Sequence, residues 1–195
     1  MDSLNIEYKN GYAFVQIDNG KVNAVNTVLA TELRDAFLDF ENDKKVGGVV
    51  LVGRPHCFSA GLDIMMMATG GVDKTVEFWK IFMEAVQAMV RFSKPFVCGI
   101  TGFAPAAGTT IALCADYRIM GIGEKHVIGL NEFKMSLVIP EIMADIYAYH
   151  MGEKAAWEAV QNAQLFNAED AIKVGLVNEA VEVDEVVEKS EARMQ

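Results

Sequence analysis

The chain has 195 residues, 52% of them hydrophobic, and a formal net charge of −10. That length buries one good core, the composition excludes a disordered chain, and the acidic balance excludes nucleic-acid binding through a basic face. No apolar run approaches the roughly 20 residues of a membrane span, and no charged-then-apolar leader opens the chain, so a cytoplasmic protein with no membrane partner is expected. Cys57, Cys98 and Cys114 sit in apolar contexts at no metal-like spacing and read as reduced core thiols. Most of the eleven methionines read as core filling.

The N-terminal stretch alternates as Asn5–Lys9 and Tyr12–Ile17 around Asn10-Gly11, a hairpin signature. A helix follows from Thr27 to Asp43, with Leu29, Leu33, Ala36, Phe37 and Phe40 as its apolar stripe. The next strand is Gly48–Gly53. Met65-Met66-Met67 begins a short helix or a mobile lid, broken by Gly70-Gly71. A long helix runs from Asp73 or Lys74 to Phe92, capped by Asp73, with Val76, Trp79, Phe82, Met83, Val86, Met89 and Val90 at helical spacing. Pro95 opens a strand over Phe96–Ile100, a buried helix spans Ala107–Ala115, and Asp116–Ile119 begins another strand. Helices then read over Pro140–His150, Glu153–Asn162 and Ala168–Lys173, with Gly152 and Gly175 where stops belong. Strands alternating with helices predict an α/β fold with largely parallel sheets. One domain is expected over 1–195, its core at about 5–181, with 183–195 as a charged helix or a disordered tail.

Two strands end in small-residue loops that lead into helices: Cys57-Phe58-Ser59-Ala60-Gly61-Leu62-Asp63 and Pro105-Ala106-Ala107-Gly108-Thr109. Such loops leave backbone N–H groups unpaired and aimed at a cleft. Packing needs alone explain one such loop. Two in this order, followed by Glu132 in Ile128-Gly129-Leu130-Asn131-Glu132, point instead to a pair of donors for an oxyanion. Glu132 has apolar flanks (Ile128, Leu130, Phe133, Met135), and a carboxylate in such surroundings has a raised pKa and suits proton transfer.

These stretches, with Asp116-Tyr117-Arg118-Ile119 and the run to Pro140, resemble the enoyl-CoA hydratase/isomerase (crotonase) superfamily, and within it most resemble the mitochondrial Δ3,Δ2-enoyl-CoA isomerases. The similarity runs from about Asn5 to Val181. The resemblance implies a crotonase-like spiral of β-β-α turns with two sheets. It implies an acyl-CoA thioester substrate, with coenzyme A as part of that substrate and no other cofactor, and a homotrimer or dimer of trimers. It places the oxyanion N–H groups at Ala60 and Ala107, the second usually glycine in the family, where the added methyl would crowd the thioester. It also implies a C-terminal helical region, of about fifty residues, beyond the stretch present here.

The resemblance further marks Ser59, Gly61, Asp63, Met66, Gly108, Thr110 and Leu130 as substrate-binding positions, with Asp63 capping or bracing its loop. Lys21 and Arg54 are candidates for the coenzyme phosphates, and Met65, Met66, Met67, Phe78, Phe82 and Leu137 for the acyl pocket, although core packing and a solvated surface explain most of these as well. Typical hydratases resemble this segment but carry a second Glu at the position of Thr110. One carboxylate suffices to move a proton from C2 to C4 of an enolate, so isomerisation is the leading expectation. Hydration, a related decarboxylation and a non-catalytic acyl-CoA-binding subunit stay open beside it. Thr110 also reads as a core threonine bonded to the preceding helical turn, and Glu141 as a residue favoured by a helix N-terminus. His56, His126 and His150 show no ligand spacing, so no metal is expected.

Overall fold

Asn10 and Gly11 close the first hairpin with φ of 46° and 86°, the two left-handed residues that a tight turn matched to strand twist requires. The structure is a computed structural model describing Met1 to Gln195. In it β1 (Leu4–Lys9) and β2 (Tyr12–Ile17) pair antiparallel, with Lys9 opposite Tyr12. In α1 (Thr27–Asn42) the Asn26 side chain accepts from the Leu29 N–H and caps the first turn. The expected stripe, Leu29 to Phe40, is buried.

The remaining chain repeats one unit three times. A strand of a large sheet is followed by a short strand of a second sheet and then by a helix. The units are β3 (Val49–Val52), β4 (His56–Cys57) and α2 (Ile64–Val90); β5 (Phe96–Ile100), β6 (Gly102–Pro105) and α3 (Ala107–Leu113); and β7 (Tyr117–Ile122), β8 (Ile128–Gly129) and α4 (Glu141–Met151). The large sheet has the order β1-β2-β3-β5-β7-β9, with β9 at Glu179–Glu182, and is parallel from β2 onward. The small sheet, β4-β6-β8, is also parallel. All residues of β3 and β5 are buried, as befits central parallel strands covered on both faces. Then come α5 (Glu153–Gln161), α6 (Ala168–Lys173) and α7 (Val186–Met194).

Several expectations change. The Met65-Met66-Met67 run and the long helix are one element, α2, kinked at Gly71 (φ 78°, ψ 173°). Asp73 lies inside it, and the cap is Asp63, which accepts from the Met66 N–H. Phe78 faces the core, in phase with Phe82, Val86 and Met89, whereas Val76 and Val90 are exposed. Phe78 and Phe82 are fully buried core residues. The segment 183–195 is not a loose tail: α7 buries Val186 and Ser190 against the large sheet. A Cβ at Gly99 of β5 would stand 2.6 Å from Ser190 Oγ, so that strand needs a glycine to receive the helix. No helix is long and apolar enough to cross a membrane.

Candidate active site

Each short strand of the second sheet delivers one wall of a cleft. After β4 the chain runs through Phe58–Asp63 beside the segment 22–25. Val25 N–H donates to the Gly61 carbonyl (2.7 Å), and Asp63 N–H donates to the Val25 carbonyl (3.0 Å). Amides alternate direction along an extended segment, so the intervening Leu62 N–H points away from Val25, and it has no acceptor in the protein. Ala60 is different. Its N–H donates to the Val22 carbonyl at 2.9 Å and is not available to a ligand. This corrects the expectation for Ala60: the free amide of the first loop lies two residues on, at Leu62.

The second wall follows β6. Ala106 takes φ 54° and ψ −122°, a conformation that costs an alanine about 1–3 kcal/mol. Its N–H goes to the Gly129 carbonyl (2.8 Å), and Ala107 then starts α3 with an N–H that has no acceptor. Ala107 is fully buried, so its methyl packs inside the protein, and the methyl that reaches the cleft belongs to Ala106. The two loops touch through glycines. At Gly61 (φ 90°) a Cβ would stand 3.1 Å from Ala106 Cβ and 3.8 Å from the Ala107 nitrogen, and at Gly108 it would stand 2.8 Å from the Ser59 carbonyl oxygen. Gly61 and Gly108 are therefore packing requirements that bring the two amides together.

Glu132 forms the floor. It sits in a 3-10 turn (Glu132–Met135) that follows β8 and ends at Ser136, itself left-handed (φ 56°). Thr109 fixes that approach: its hydroxyl accepts from the Gly129 N–H (2.7 Å) and donates to the Ala104 carbonyl (2.7 Å). Glu132 is 2% exposed, and neither carboxylate oxygen has a hydrogen-bond partner. Burial pushes its pKa up to about 7, against a weaker downward pull from its own amide and that of Asn131. The cavity before it measures about 160 Å³ and is lined by Leu62, Phe103, Ala106, Asn131, Glu132 and Leu137. A larger surface cavity of about 540 Å³, between the ends of α2, α3 and α4, contains none of these groups.

Other expected substrate positions have partners inside the protein. Ser59 is fully buried; its hydroxyl donates to the Asn23 carbonyl (2.8 Å) and accepts from the Gly61 N–H (3.2 Å). Asp63 caps α2. Leu130 is a core residue, and Met66 packs on the core with its Sδ beside Thr27 Oγ1 (3.6 Å). Met65 is largely exposed. Arg54 is tied to the turn after β2, donating to the Gly20 carbonyl (2.6 Å) near Asp18. Thr110 is buried with its hydroxyl unpaired, so it is not bonded to the preceding turn. No three His, Cys, Asp or Glu side chains converge as a metal site.

Asn23 escaped notice in the sequence. It is fully buried at φ 49°; its amide donates to the carbonyls of Ile17 (3.0 Å) and Phe58 (3.1 Å), and its Oδ1 accepts from Asn19 N–H (2.8 Å). It clamps the segment that consumes the Ala60 amide and thereby leaves the Leu62 amide free. Gly20 and Asn19 signal a turn nearby, but nothing in the sequence says which strand end that turn holds.

The enoyl-CoA hydratase/isomerase family profile matches residues 7–195. Enoyl-CoA delta isomerase 1, mitochondrial, of Rattus norvegicus is 37% identical over 185 residues, which cover 94% of this chain and 64% of that protein. The present chain thus spans less than two thirds of that relative's length. A protein of Mycobacterium tuberculosis named "Probable enoyl-CoA hydratase EchA17" is 30% identical over 182 residues, 93% of this chain and 69% of that one. The crystal structure of human mitochondrial delta3-delta2-enoyl-CoA isomerase superposes with a TM-score of 0.95 at 31% identity, over 98% of this chain and 76% of the other. The thrice-repeated strand-strand-helix unit is the crotonase-type spiral, and by sequence, fold and loop architecture the chain belongs to the enoyl-CoA hydratase/isomerase family.

Proposed function

We propose that the cleft isomerises a 3-enoyl-CoA to the 2-trans-enoyl thioester. The thioester carbonyl oxygen sits between the N–H groups of Leu62 and Ala107. The Glu132 carboxylate takes a proton from C2, and the C–H electron pair moves into the carbonyl to form an enolate whose oxygen both amides stabilise. The protonated Glu132 then delivers that proton to C4, the double bond settles between C2 and C3, and the carboxylate is regenerated. A carboxyl that titrates near neutrality suits both halves of this transfer. Each preorganised donor is worth about 3 kcal/mol of transition-state stabilisation.

The observation that carries this reading is an unpaired Glu132, 2% exposed, in one cavity with the loop that bears the free Leu62 amide. The isomerase names of the relatives support it. The test is the absorbance of the conjugated thioester when the protein meets a 3-enoyl-CoA. A rise is expected, and Glu132→Gln should slow it by about 10²–10⁴-fold. Wild-type turnover in that variant would remove Glu132 from the mechanism.

A second reading has one observation of its own. The buried, unpaired Thr110 hydroxyl offers a place to hold a water for addition to a 2-enoyl-CoA, and one relative carries a hydratase name. Loss of absorbance with that substrate would favour it. Binding without any change in absorbance would favour a silent acyl-CoA-binding subunit. A trimer is the assembly we infer by analogy with the family, and sedimentation of the purified chain tests it.

A further inference from the structure

Every buried side-chain polar atom without a hydrogen bond belongs to Thr110, Glu132 or Tyr147. Proteins pair nearly all such groups, so unpaired ones that share a neighbourhood call for a physical reason. Tyr147 lies on the buried face of α4 with its ring fully enclosed. Burial pushes its phenol well above the ordinary value, the Leu130 amide beside it pulls back, and the charge of Glu132 pushes it further up. Thr110 lies in α3 one helical turn beyond Ala106, which lines the cavity. No cation and no second carboxylate acts on Glu132. Tyr147 of α4 feels the charge of Glu132, and the amides of Asn131 and of Glu132 itself reach the carboxylate from its own turn. An unpaired phenol is an O–H donor, an ionised carboxylate requires donors, and neither has a hydrogen-bond partner in the protein.

We propose that Tyr147 is a positioning residue for Glu132: its phenol O–H donates to the carboxylate across one water shared with the Thr110 hydroxyl, and so favours the ionised form in the orientation that faces the cavity. Such a water has the two or more polar partners that a buried site needs. The consequence for turnover rests on the proton-carrier reading of Glu132, whereas the Tyr147–Glu132 link does not.

Tyr147→Phe keeps the ring and deletes the donor. Infrared difference spectra of wild type against Glu132→Gln isolate the protonated Glu132 carbonyl band, and its pH midpoint is read in each variant. The midpoint should rise by roughly one pH unit in Tyr147→Phe, the cost of losing one hydrogen bond to the charged form. The acid limb of kcat/KM should move with it, and Thr110→Val should give a smaller shift of the same sign. Replacing Tyr147 with 3-fluorotyrosine, a stronger donor on the same ring, should lower the midpoint, and this serves if Tyr147→Phe does not fold. An unmoved midpoint in either Tyr147 variant overturns the proposal. A moved midpoint in a protein inert toward 3-enoyl-CoA keeps the link and removes the isomerase reading. Full isomerase activity with an unmoved midpoint does the reverse.

Discussion

Two corners of this molecule each hold a tyrosine near a glutamate, and they treat the carboxylate in opposite ways. Where α7 meets the first hairpin, Glu191 accepts from Lys9 Nζ (3.0 Å) and Tyr12 Oη (2.8 Å). Burial alone would raise its pKa, but those two hydrogen bonds and the Lys9 charge overcome it and hold the group below the usual range. In the cleft, Glu132 has no such side-chain partners, and burial outweighs the pull of two amides and takes it to about 7. One corner spends its polar groups on holding the fold. The other leaves a carboxylate and two hydroxyls without a partner from the protein, a cost borne where there is chemistry to do.

The largest effect expected is at the clamp that shapes the cleft. Asn23→Ala strands the Ile17 and Phe58 carbonyls and the Asn19 N–H, all of which its side chain satisfies, and places alanine at φ 49°. The loss should be about 3–5 kcal/mol in urea unfolding. A loss below about 1 kcal/mol would mean that water replaces the clamp and that the free Leu62 amide does not depend on it.

Next comes the carboxylate itself. A carboxyl moved from 4.5 to about 7 binds its proton more tightly in the native state than in the unfolded chain. Wild-type stability should therefore fall as pH rises from about 4.5 to about 7, by about 3 kcal/mol, and level off above that. Glu132→Gln removes the ionised form. It should match wild type near pH 4 and exceed it by about 3 kcal/mol at pH 8, while losing turnover. Equal stability at both pH values would show that the cleft is wetter than its geometry implies.

This contrast marks what the sequence discloses. The elements were largely legible, because hydrophobic period, Asn10-Gly11, Gly152 and Gly175 are local signals. Glu132 was legible for a similar reason, since its apolar flanks lie beside it in the chain. The free amide of the first loop was not. Choosing Leu62 over Ala60 depends on hydrogen bonds to Val22 and Val25, some forty residues upstream, and no property of Ser59–Asp63 encodes that pairing. Asn23, Thr109 and Tyr147 were missed on the same grounds, because their roles lie in partners that only the folded chain brings near. Gly71 misled the reading of α2, because a non-helical glycine inside one continuous element looks like a helix boundary in the sequence.

The smallest effect separates the two corners most directly, through its sign. Tyr12→Phe removes the 2.8 Å donor to Glu191 and should cost about 1 kcal/mol at pH 7. The figure stays low because Lys9 remains as a partner and its side chain is 33% exposed, where solvent screens the pair. Glu191 has a depressed folded-state pKa, so its contribution is present above the ordinary carboxylate value and is lost as pH falls through the folded one. The Tyr12→Phe penalty should therefore shrink on acidification, whereas the gain from Glu132→Gln grows as pH rises through neutrality. Unfolding series on both variants from pH 3 to 8 would show the two dependences running in separate windows. A Tyr12→Phe penalty that persists undiminished at pH 3 would mean that the phenol stabilises this corner by packing, with Glu191 incidental to it.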